Sequence, residues 1–190
     1  MAKKYAFEQN IHFVPDASHA LPDDEYEACT INGGQLTGAD WSNKTFIQCT
    51  FTDCDLSNIT LHHTGFQQVR FVRCKMMGLH FDDCNPFLLE LAFEHCNLSF
   101  SLFSGLKLPK TVFQSCLLEG ADFENADLTG SEWPDSDLRD ALFENTILEK
   151  ADFTTAVHFR ISPHRNRIKK ARFSAQGLIG LLREWDIVVV

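Results

Sequence analysis

The sequence lacks the features of several large protein classes. It has no apolar run approaching the roughly 18 residues that a membrane-spanning helix needs. Its first ten residues contain no apolar stretch of the kind found in a secretory signal. No GxGxxG, P-loop or local Ser/His/Asp motif is present. We therefore expect a cytoplasmic protein without a membrane partner, and no local motif indicates a nucleotide-binding enzyme or a hydrolase.

Basic residues and tyrosine are scarce. Seventeen Lys and Arg against 26 Asp and Glu give a net charge of −9, which argues against direct binding of nucleic acid. The seven cysteines are an odd number, and without an export signal they do not indicate a complete disulfide framework. Tyrosine occurs 2 times against 17 phenylalanines, so the positions of the phenylalanines need an explanation.

An apolar residue recurs at every fifth position. From Tyr26 to Phe81 all twelve positions at this spacing are apolar, and after a shift of two residues fourteen more follow from Leu88 to Phe153. An α-helix repeats about every 3.6 residues and a strand every two, so neither accounts for a period of five. The sequence therefore predicts a repeat architecture.

A small residue usually stands two positions before each large apolar one. Segments such as ADFEN at 121–125 and ADLTG at 126–130 carry the pattern A(D/N)LXX. Over residues 26–153 the chain resembles the pentapeptide-repeat family. The resemblance implies an all-β fold, a right-handed quadrilateral β-helix with four pentapeptides per coil, in which the large and small residues point inward and the other three face solvent.

Four pentapeptides make one coil, and the cysteine spacing matches this length. Three pairs of cysteines are separated by four pentapeptides: Cys29 and Cys49, Cys54 and Cys74, and Cys96 and Cys116. Residues at this spacing stack on neighbouring coils about 4.8 Å apart, so we expect inward columns of cysteines that act as small apolar residues. A zinc site needs ligands that converge on one point, which a ladder does not provide.

The inward residues from 88 to 153 alternate between leucine and an aromatic residue. Positions two pentapeptides apart lie on opposite faces of a four-sided coil, so two opposite faces are expected to supply aromatic rings and the other two leucines. Such layers would fill a narrow core without voids.

Three regions interrupt or flank the repeat. Residues 82–87 hold the two extra residues, with Asn and Pro suited to a turn, and are expected to bulge from the rod. Residues 1–25 lack a clean repeat and are expected to cap the N-terminal coil. Residues 154–190 form a distinct C-terminal segment.

The C-terminal segment predicts a short helix followed by a strand. Apolar residues follow helical spacing from Ser174, a candidate N-cap, to Trp185, and the chain then ends in the β-prone run IVVV. These apolar side chains predict a homodimer interface, with a cap inside one chain as the alternative. The predicted interface residues are Leu178, Leu181, Leu182, Trp185, Ile187, Val188 and Val189.

Two polar clusters are candidate sites of chemistry. The histidines at 62–63 lie one coil length before the aspartates at 82–83, which predicts surface rungs, whereas a metal site would need a third ligand and a closed geometry. Asp135 and Asp137 could imitate the carboxylates of a glycoside hydrolase, but a convex rod offers no cleft that would desolvate one of them. We therefore expect no catalytic residues, no metal and no cofactor.

Acidic residues are concentrated in the last part of the repeat. Residues 117–153 hold eleven acidic and two basic groups, whereas residues 154–190 hold two acidic and seven basic ones. The acidic residues all occupy outward positions: Glu119, Asp122, Glu124, Asp127, Glu132, Asp135, Asp137, Asp140, Glu144, Glu149 and Asp152. Stacked pairs such as Glu124 and Glu144 repel each other by about 1 kcal/mol in water before screening. Such a block suits a surface that imitates DNA phosphates, or one that only keeps the protein dispersed.

The tail carries a closer resemblance. A repeat rod followed by NRI at 166–168, GLIGLL at 177–182 and IVVV at 187–190 resembles the topoisomerase-protecting branch of the pentapeptide-repeat family. That branch includes the quinolone-resistance (Qnr) proteins and the microcin B17 immunity protein (McbG). The chain lacks the long loop insertions of the Qnr pattern and is more similar to the compact immunity type.

This closer resemblance implies a function. It implies a C-terminally paired dimer whose acidic surface imitates duplex DNA, binds DNA gyrase or another type II topoisomerase, and protects that enzyme from a quinolone or a microcin-type toxin. The alternative is a pentapeptide-repeat interaction scaffold with a different partner. Acidic residues that face several directions without a continuous stripe would favour the scaffold.

Overall fold

The chain winds into a parallel β-solenoid of about eight turns with one short helix near its C-terminus. This is a computed structural model, and it describes residues 4–12, 21–185 and 187. The β-helix that the resemblance to the pentapeptide-repeat family implies is therefore confirmed. The terminal strand predicted over 187–190 lies almost wholly outside the described residues.

Parallel pairing at a spacing of four pentapeptides defines the coils. One sheet consists of β1 (Tyr5–Phe7), β3 (Glu25–Glu27), β5 (Thr45–Ile47) and β7 (Gly65–Gln67). The sheet on the next face consists of β2 (Asn10–His12), β4 (Thr30–Asn32), β6 (Thr50–Thr52), β8 (Val69–Val72), β9 (Leu91–Glu94) and β10 (Val112–Gln114), with β11 (Asp152–Phe153) and β12 (Arg172–Phe173) further along. A 3₁₀ turn covers Phe81–Asp83. Elsewhere the coils meet at single bridges, such as Leu102 with Asp122.

We number the four faces in chain order by their central inward residues. Face 1 is centred on Phe46 and Leu128, face 2 on Phe51 and Phe113, face 3 on Leu56 and Leu118, and face 4 on Trp41 and Phe123. All of these side chains are at most 1% exposed. The side chains on either side of each central residue point outward, so each face has a surface of its own.

Two columns of aromatic rings fill the core from opposite sides. On face 2, Phe113 stacks on Phe93 and Trp133 with ring centroids 5.1 and 4.3 Å apart. On face 4, Phe103 and Phe123 stack at 5.0 Å. Rings of the two columns meet edge to face, as between Phe113 and Phe123 at 5.8 Å with planes at 82°, a favoured aromatic geometry. Buried leucines from faces 1 and 3 lie between them, which confirms the predicted alternation.

The chain departs from the repeat at one short loop. Asn85 pairs with Gly65, one regular coil length before it, whereas Leu91 pairs with Val69, two positions further back than the repeat requires. The two extra residues therefore lie between Asn85 and Leu91, later than the predicted bulge at 82–87. Of the 26 positions predicted to point inward, 25 are buried, and the exception is Leu88 at 61% exposure. Leu88 is exposed because the two extra residues displace this segment from the axis of the rod.

The coils extend further at both ends than the repeat pattern predicts. Strands β1 and β2 pair with β3 and β4 in the same register as the later coils, so residues 4–12 form part of the first coil. At the other end, Phe173 stacks on Phe153 with centroids 5.4 Å apart. The rod therefore continues past residue 153 into the C-terminal segment.

Residues with left-handed backbone make the corners between faces. Gly120, Gly130, Asn125 and Asn145 have φ between 52 and 69°, a region that glycine and asparagine adopt with the least strain. Gly120 is needed for a second reason, since an added Cβ would lie 2.8 Å from the ring of Phe100 on the preceding coil.

The C-terminal helix is shorter than predicted. Helix α1 covers Ile179–Leu182 and continues as a 3₁₀ turn over Arg183–Trp185. The hydroxyl of Ser174 caps a turn instead of the helix, because it accepts a hydrogen bond from the backbone N–H three residues on, at 3.0 Å. Gly180 lies against Phe159, whose carbonyl oxygen would be 2.5 Å from an added Cβ. This close contact seats the helix on the last coil.

All seven cysteines are free and buried, which confirms the inward columns. Five of the thiols donate to backbone carbonyls of the preceding coil, as from Cys49 Sγ to the oxygen of Tyr26 at 3.4 Å. Burial raises the pKa of Cys49 to about 11 and also raises the pKa of Cys116, because a thiolate loses its hydration there. These thiols are therefore poor nucleophiles at neutral pH.

We expect iodoacetamide to modify few of the seven cysteines under native conditions and all of them in denaturant, because all seven thiols are buried. Mass spectrometry after timed exposure measures the labelled fraction. Rapid native labelling in the column Cys54, Cys74, Cys96 and Cys116 would contradict the register of the coils.

We expect Phe123→Ala to lower the free energy of unfolding by about 3–5 kcal/mol, because a core one layer wide cannot collapse around the hole. Phe87→Ala is the control: this ring is 67% exposed, and its loss should change stability by less than about 0.5 kcal/mol. Denaturant titration measures both variants. A loss below about 1 kcal/mol at Phe123 would be inconsistent with its place in the core.

Candidate interaction surface

The predicted acidic residues lie on all four faces of the rod. Asp127 and Glu149 lie on face 1, Glu132, Asp135 and Asp152 on face 2, Glu119, Asp137 and Asp140 on face 3, and Asp122, Glu124 and Glu144 on face 4. They do not form one array. The candidate hydrolase pair is also separated, since Asp135 lies on face 2 and Asp137 on face 3.

Basic residues, most of them from the C-terminal segment, neutralise about half of the acidic block. The ion pairs are Asp137 with Arg139 (3.4 Å), Asp140 with Arg160 (3.6 Å), Glu144 with Arg165 (3.3 Å), Glu149 with Arg167 (2.7 Å) and Asp152 with Arg172 (2.7 Å). Asp137 is also within hydrogen-bond distance of Nδ1 of His158, at 2.8 Å. Exposed pairs of this kind add little stability, but they cancel charge. The repulsion expected between Glu124 and Glu144 is therefore relieved by an arginine on the next coil.

The surroundings of Asp152 lower the pKa of its carboxyl group. Burial disfavours its charged form, but hydrogen bonds from Thr154 N and Oγ1 at 3.0 and 2.7 Å, together with the charge of Arg172, outweigh burial and hold the pKa of Asp152 below its ordinary value. Because this pKa is depressed in the folded state, Asp152 stabilises the fold at neutral pH. That contribution is lost as pH falls through the folded-state pKa.

Face 4 carries the largest excess of acidic residues. From residue 39 onward it consists of the segments 39–43, 59–63, 79–83, 101–105, 121–125, 141–145 and 161–165. These segments hold six acidic residues and one arginine, a net charge of −5 with neutral histidines: Asp40, Asp82, Asp83, Asp122, Glu124 and Glu144 against Arg165. The carboxylates span five coil steps, about 24 Å at the ordinary strand spacing.

Half of the face 4 carboxylates lie outside the site predicted from the sequence. Asp40, Asp82 and Asp83 lie outside the acidic block of residues 117–153, but the coil register places them in line with Asp122 and Glu124. The signal that would have found them is that register, corrected for the two extra residues of the loop.

Local hydrogen bonds hold several of these carboxylates in place. Oδ1 of Asp40 accepts from the backbone N–H of Ser42 at 2.9 Å, and Oδ1 of Asp122 accepts from that of Glu124 at 2.8 Å. Hydrogen bonding from Ser42 lowers the pKa of Asp40, so this carboxylate stays ionised. The arrangement is an Asx turn, which an aspartate before the inward residue favours.

A groove of about 910 Å³ lies between face 4 of the last coils and helix α1. Leu142, Ile179 and Ile187 line it and are 57, 46 and 53% exposed. The groove corrects the expectation that the rod has no cleft. Of the four carboxylates that line it, Asp140 and Glu144 are held in the arginine ion pairs described above. Glu184 accepts a hydrogen bond from the hydroxyl of Ser162 at 2.9 Å, and Glu124 has no ion pair among the described residues.

The predicted dimer residues divide into three groups. Leu178, Trp185 and Ile187 are 46, 48 and 53% exposed. Leu181 and Leu182 are half-buried, and Leu181 packs against the core. Val188 and Val189 lie outside the described residues.

Two further properties bear on possible ligands. Among residues 4–12, 21–185 and 187, no three or more His, Cys, Asp or Glu side chains are grouped so that they could hold a metal ion. In the same part of the chain, no helix is long and apolar enough to cross a membrane.

Comparison with protein families identifies the repeat. The chain matches the family described as a pentapeptide repeat region over residues 85–153 and the one described as pentapeptide repeats (8 copies) over residues 35–68. Together the two matches cover more than half of the chain. The chain belongs to the pentapeptide-repeat family.

Solved structures share the fold at low sequence identity. A trypsin-treated form of QnrB1, a plasmid-mediated fluoroquinolone resistance protein, matches with a TM-score of 0.63 and 16% identity over 100% of both chains. HetL, a pentapeptide-repeat protein involved in the regulation of heterocyst differentiation in the cyanobacterium Nostoc, matches with a TM-score of 0.51 and 14% identity over 89% of each chain. No curated protein matches significantly. At these identities the likeness is one of fold.

Proposed function

We propose that this pentapeptide-repeat protein is a non-catalytic, cytoplasmic mimic of duplex DNA. Face 4 binds DNA gyrase or another type II topoisomerase and thereby protects it from an inhibitor, such as a quinolone or a microcin-type toxin. The observation that carries this proposal is the row of six carboxylates on face 4. The resistance function named for QnrB1 belongs to that protein, and it enters here as a hypothesis through the shared fold.

The charge spacing on face 4 supports mimicry of one DNA strand. A strand carries one phosphate per about 3.4 Å, so about seven phosphates occupy the length of about 24 Å over which face 4 presents its carboxylates. A basic surface shaped for a DNA backbone would therefore meet nearly as many negative charges on this face. The coil register fixes the place of each charge along the rod: the segments 79–83 and 121–125 carry two carboxylates each, 39–43 and 141–145 carry one each, and 59–63 and 101–105 carry none.

Face 4 narrows the interaction surface proposed from the sequence. The partner-binding site predicted from the sequence consists of ten residues, the acidic block of 117–153 without Glu149. Of these ten, Asp122, Glu124 and Glu144 lie on face 4, and Asp40, Asp82 and Asp83 join them. The other seven lie on faces 1, 2 and 3: Glu119, Asp127, Glu132, Asp135, Asp137, Asp140 and Asp152.

A second candidate function is an interaction scaffold with a partner other than a topoisomerase. The distribution of acidic residues over four faces, with about half of them in ion pairs, favours this candidate. The likeness to HetL supports it as well, because the same fold there belongs to a protein of developmental regulation.

The triple variant Asp82→Asn, Asp122→Asn, Glu124→Gln tests the topoisomerase proposal. It removes three charges from face 4 and keeps the side-chain shapes, so we expect gyrase binding to weaken by about tenfold or more while the melting temperature is retained. Biolayer interferometry measures the affinity. Supercoiling assays with a quinolone measure protection, which should fall in parallel.

The matched control is Glu119→Gln, Glu132→Gln, Asp135→Asn, which removes three charges from faces 2 and 3. We expect it to bind gyrase within about threefold of the wild type. An equal loss of gyrase affinity in both triple variants would show that binding depends only on the net charge of the protein and not on face 4. A wild-type protein that binds no type II topoisomerase would leave the scaffold as the better account.

The homodimer is part of the same proposal. Leu178, Trp185 and Ile187 lie in or directly beside the short C-terminal helix and are each about half exposed. Ile187 also lines the groove between this helix and face 4, together with Leu142 and Ile179. Exposed apolar patches of this kind commonly mark interfaces. A second copy of the chain could cover both features by twofold pairing.

The variant Leu178→Ser with Trp185→Ala tests the dimer. Neither side chain belongs to the buried core, so we expect a monomer by light scattering with the far-ultraviolet circular dichroism of the rod retained. Phe87→Ser, which changes an exposed apolar residue far from this end, should leave the dimer intact. A full-length protein that is monomeric at micromolar concentration would contradict the dimer.

A further inference from the structure

The lysines of the second half of the chain all lie on face 1. They are Lys107, Lys110, Lys150, Lys169 and Lys170, and all five are exposed. Within the described residues, none of them has a carboxylate oxygen within 4.0 Å, whereas every arginine from Arg139 to Arg172 forms an ion pair with an acid. Arginines thus neutralise about half of the acidic block, and the lysines are left on one surface. We call these five residues the lysine face.

The lysine face is basic although the protein is acidic. The face 1 segments 106–110, 126–130, 146–150 and 166–170 hold six basic and two acidic residues, a net charge of +4 in a chain of net −9. Of the two acids, Glu149 is paired with Arg167 at 2.7 Å. Asp127 accepts hydrogen bonds from Thr129 N and Oγ1 at 3.0 and 2.6 Å. Neither acid neutralises a lysine.

The fold itself gains nothing from this arrangement. Lys150 and Lys170 occupy the same corner position on consecutive coils, both with φ 62°, so their side chains start about 4.8 Å apart. The stacked acidic pairs are relieved by a nearby arginine, but no described carboxylate relieves these lysines. Lys110 lies along the rod, with its Cγ 3.7 Å from the position of an added Cβ at Gly130. An anionic partner would supply the missing counter-charge.

We propose that the lysine face binds the phosphodiester backbone of duplex nucleic acid. Lysine ammonium groups are common phosphate ligands that act as point charges. The face spans three coil steps, about 14 Å, a length that holds about four phosphates of one strand. No large apolar side chain is exposed on its segments within the described residues, so the surface has nothing to insert into a lipid bilayer.

This proposal revises the expectation that the protein does not contact nucleic acid. That expectation rests on the net charge of the whole chain. This sum does not reveal that a basic face lies beside an acidic one. The proposal goes beyond the proposed function, since face 1 and face 4 are different surfaces that separate variants can test.

A surface that contacts only the phosphodiester backbone of DNA is expected to show a characteristic affinity and salt dependence. Affinity should be independent of sequence, with a dissociation constant of about 10⁻⁴–10⁻⁶ M at physiological salt. With about four phosphates neutralised, the logarithm of the binding constant should fall against the logarithm of salt concentration with a slope of about −4.

Fluorescence anisotropy with a labelled duplex of about 20 base pairs of random sequence, between about 50 and about 200 mM NaCl, tests the proposal. The variant Lys150→Gln, Lys169→Gln, Lys170→Gln should bind at least about tenfold more weakly at the lower salt, with its slope reduced by about three. Arginine at the same three positions should retain binding. The control Arg70→Gln, Arg73→Gln, Lys75→Gln removes three exposed charges from faces 2 and 3 and should bind like the wild type.

Several outcomes would overturn the proposal. These are a wild type that binds no duplex at about 50 mM NaCl, an equal loss in the control variant, and binding to phosphatidylserine vesicles without binding to DNA. Self-association at low salt that the lysine variants abolish, without DNA binding, would assign the lysine face to a second copy instead. The face 4 triple variant should keep its affinity for DNA, so failure of one proposal does not imply failure of the other.

Discussion

The structure depends on a core that is one layer of side chains wide. Each pentapeptide sends one large residue to the axis, where it meets rings or leucines from the other three faces. The rings of Phe113 and Phe123 show the constraint: they stack along their own columns and meet edge to face across the axis. Because no second layer can compensate for a misplaced residue, the register of four pentapeptides per coil is kept from the first strand to Phe173, apart from the single loop.

That rigid register leaves the outward positions free to carry charge, and the chain uses its faces differently. Face 4 collects carboxylates from Asp40 to Glu144, whereas the second half of face 1 collects lysines. Arginines such as Arg165 and Arg172 pair with acids one coil away and keep the stacked acids compatible with the fold. Net charge describes none of this, because opposite charges on different surfaces cancel in the sum.

The inward half of the structure was predictable from sequence, and much of the outward half was not. A period of five fixes which residues are buried, so Phe123 and all seven cysteines were placed correctly. The two extra residues could be inserted at several points without breaking the apolar pattern, so the loop was placed too early and Leu88 was assigned inward. The arginine pairs were missed because Arg165 and Arg167 lie beyond the clean repeat. The helix was predicted too long, since its spacing does not reveal the close packing of Gly180 on Phe159.

The central claim is that face 4 occupies the place of DNA on a type II topoisomerase. The most direct measurement is competition: gyrase is loaded with a labelled duplex, and the Lys150→Gln, Lys169→Gln, Lys170→Gln variant, which should not hold DNA itself, is titrated in. The account predicts displacement of the duplex, with an inhibition constant equal to the dissociation constant of the protein for gyrase alone. A stable ternary complex of gyrase, duplex and this variant would contradict it.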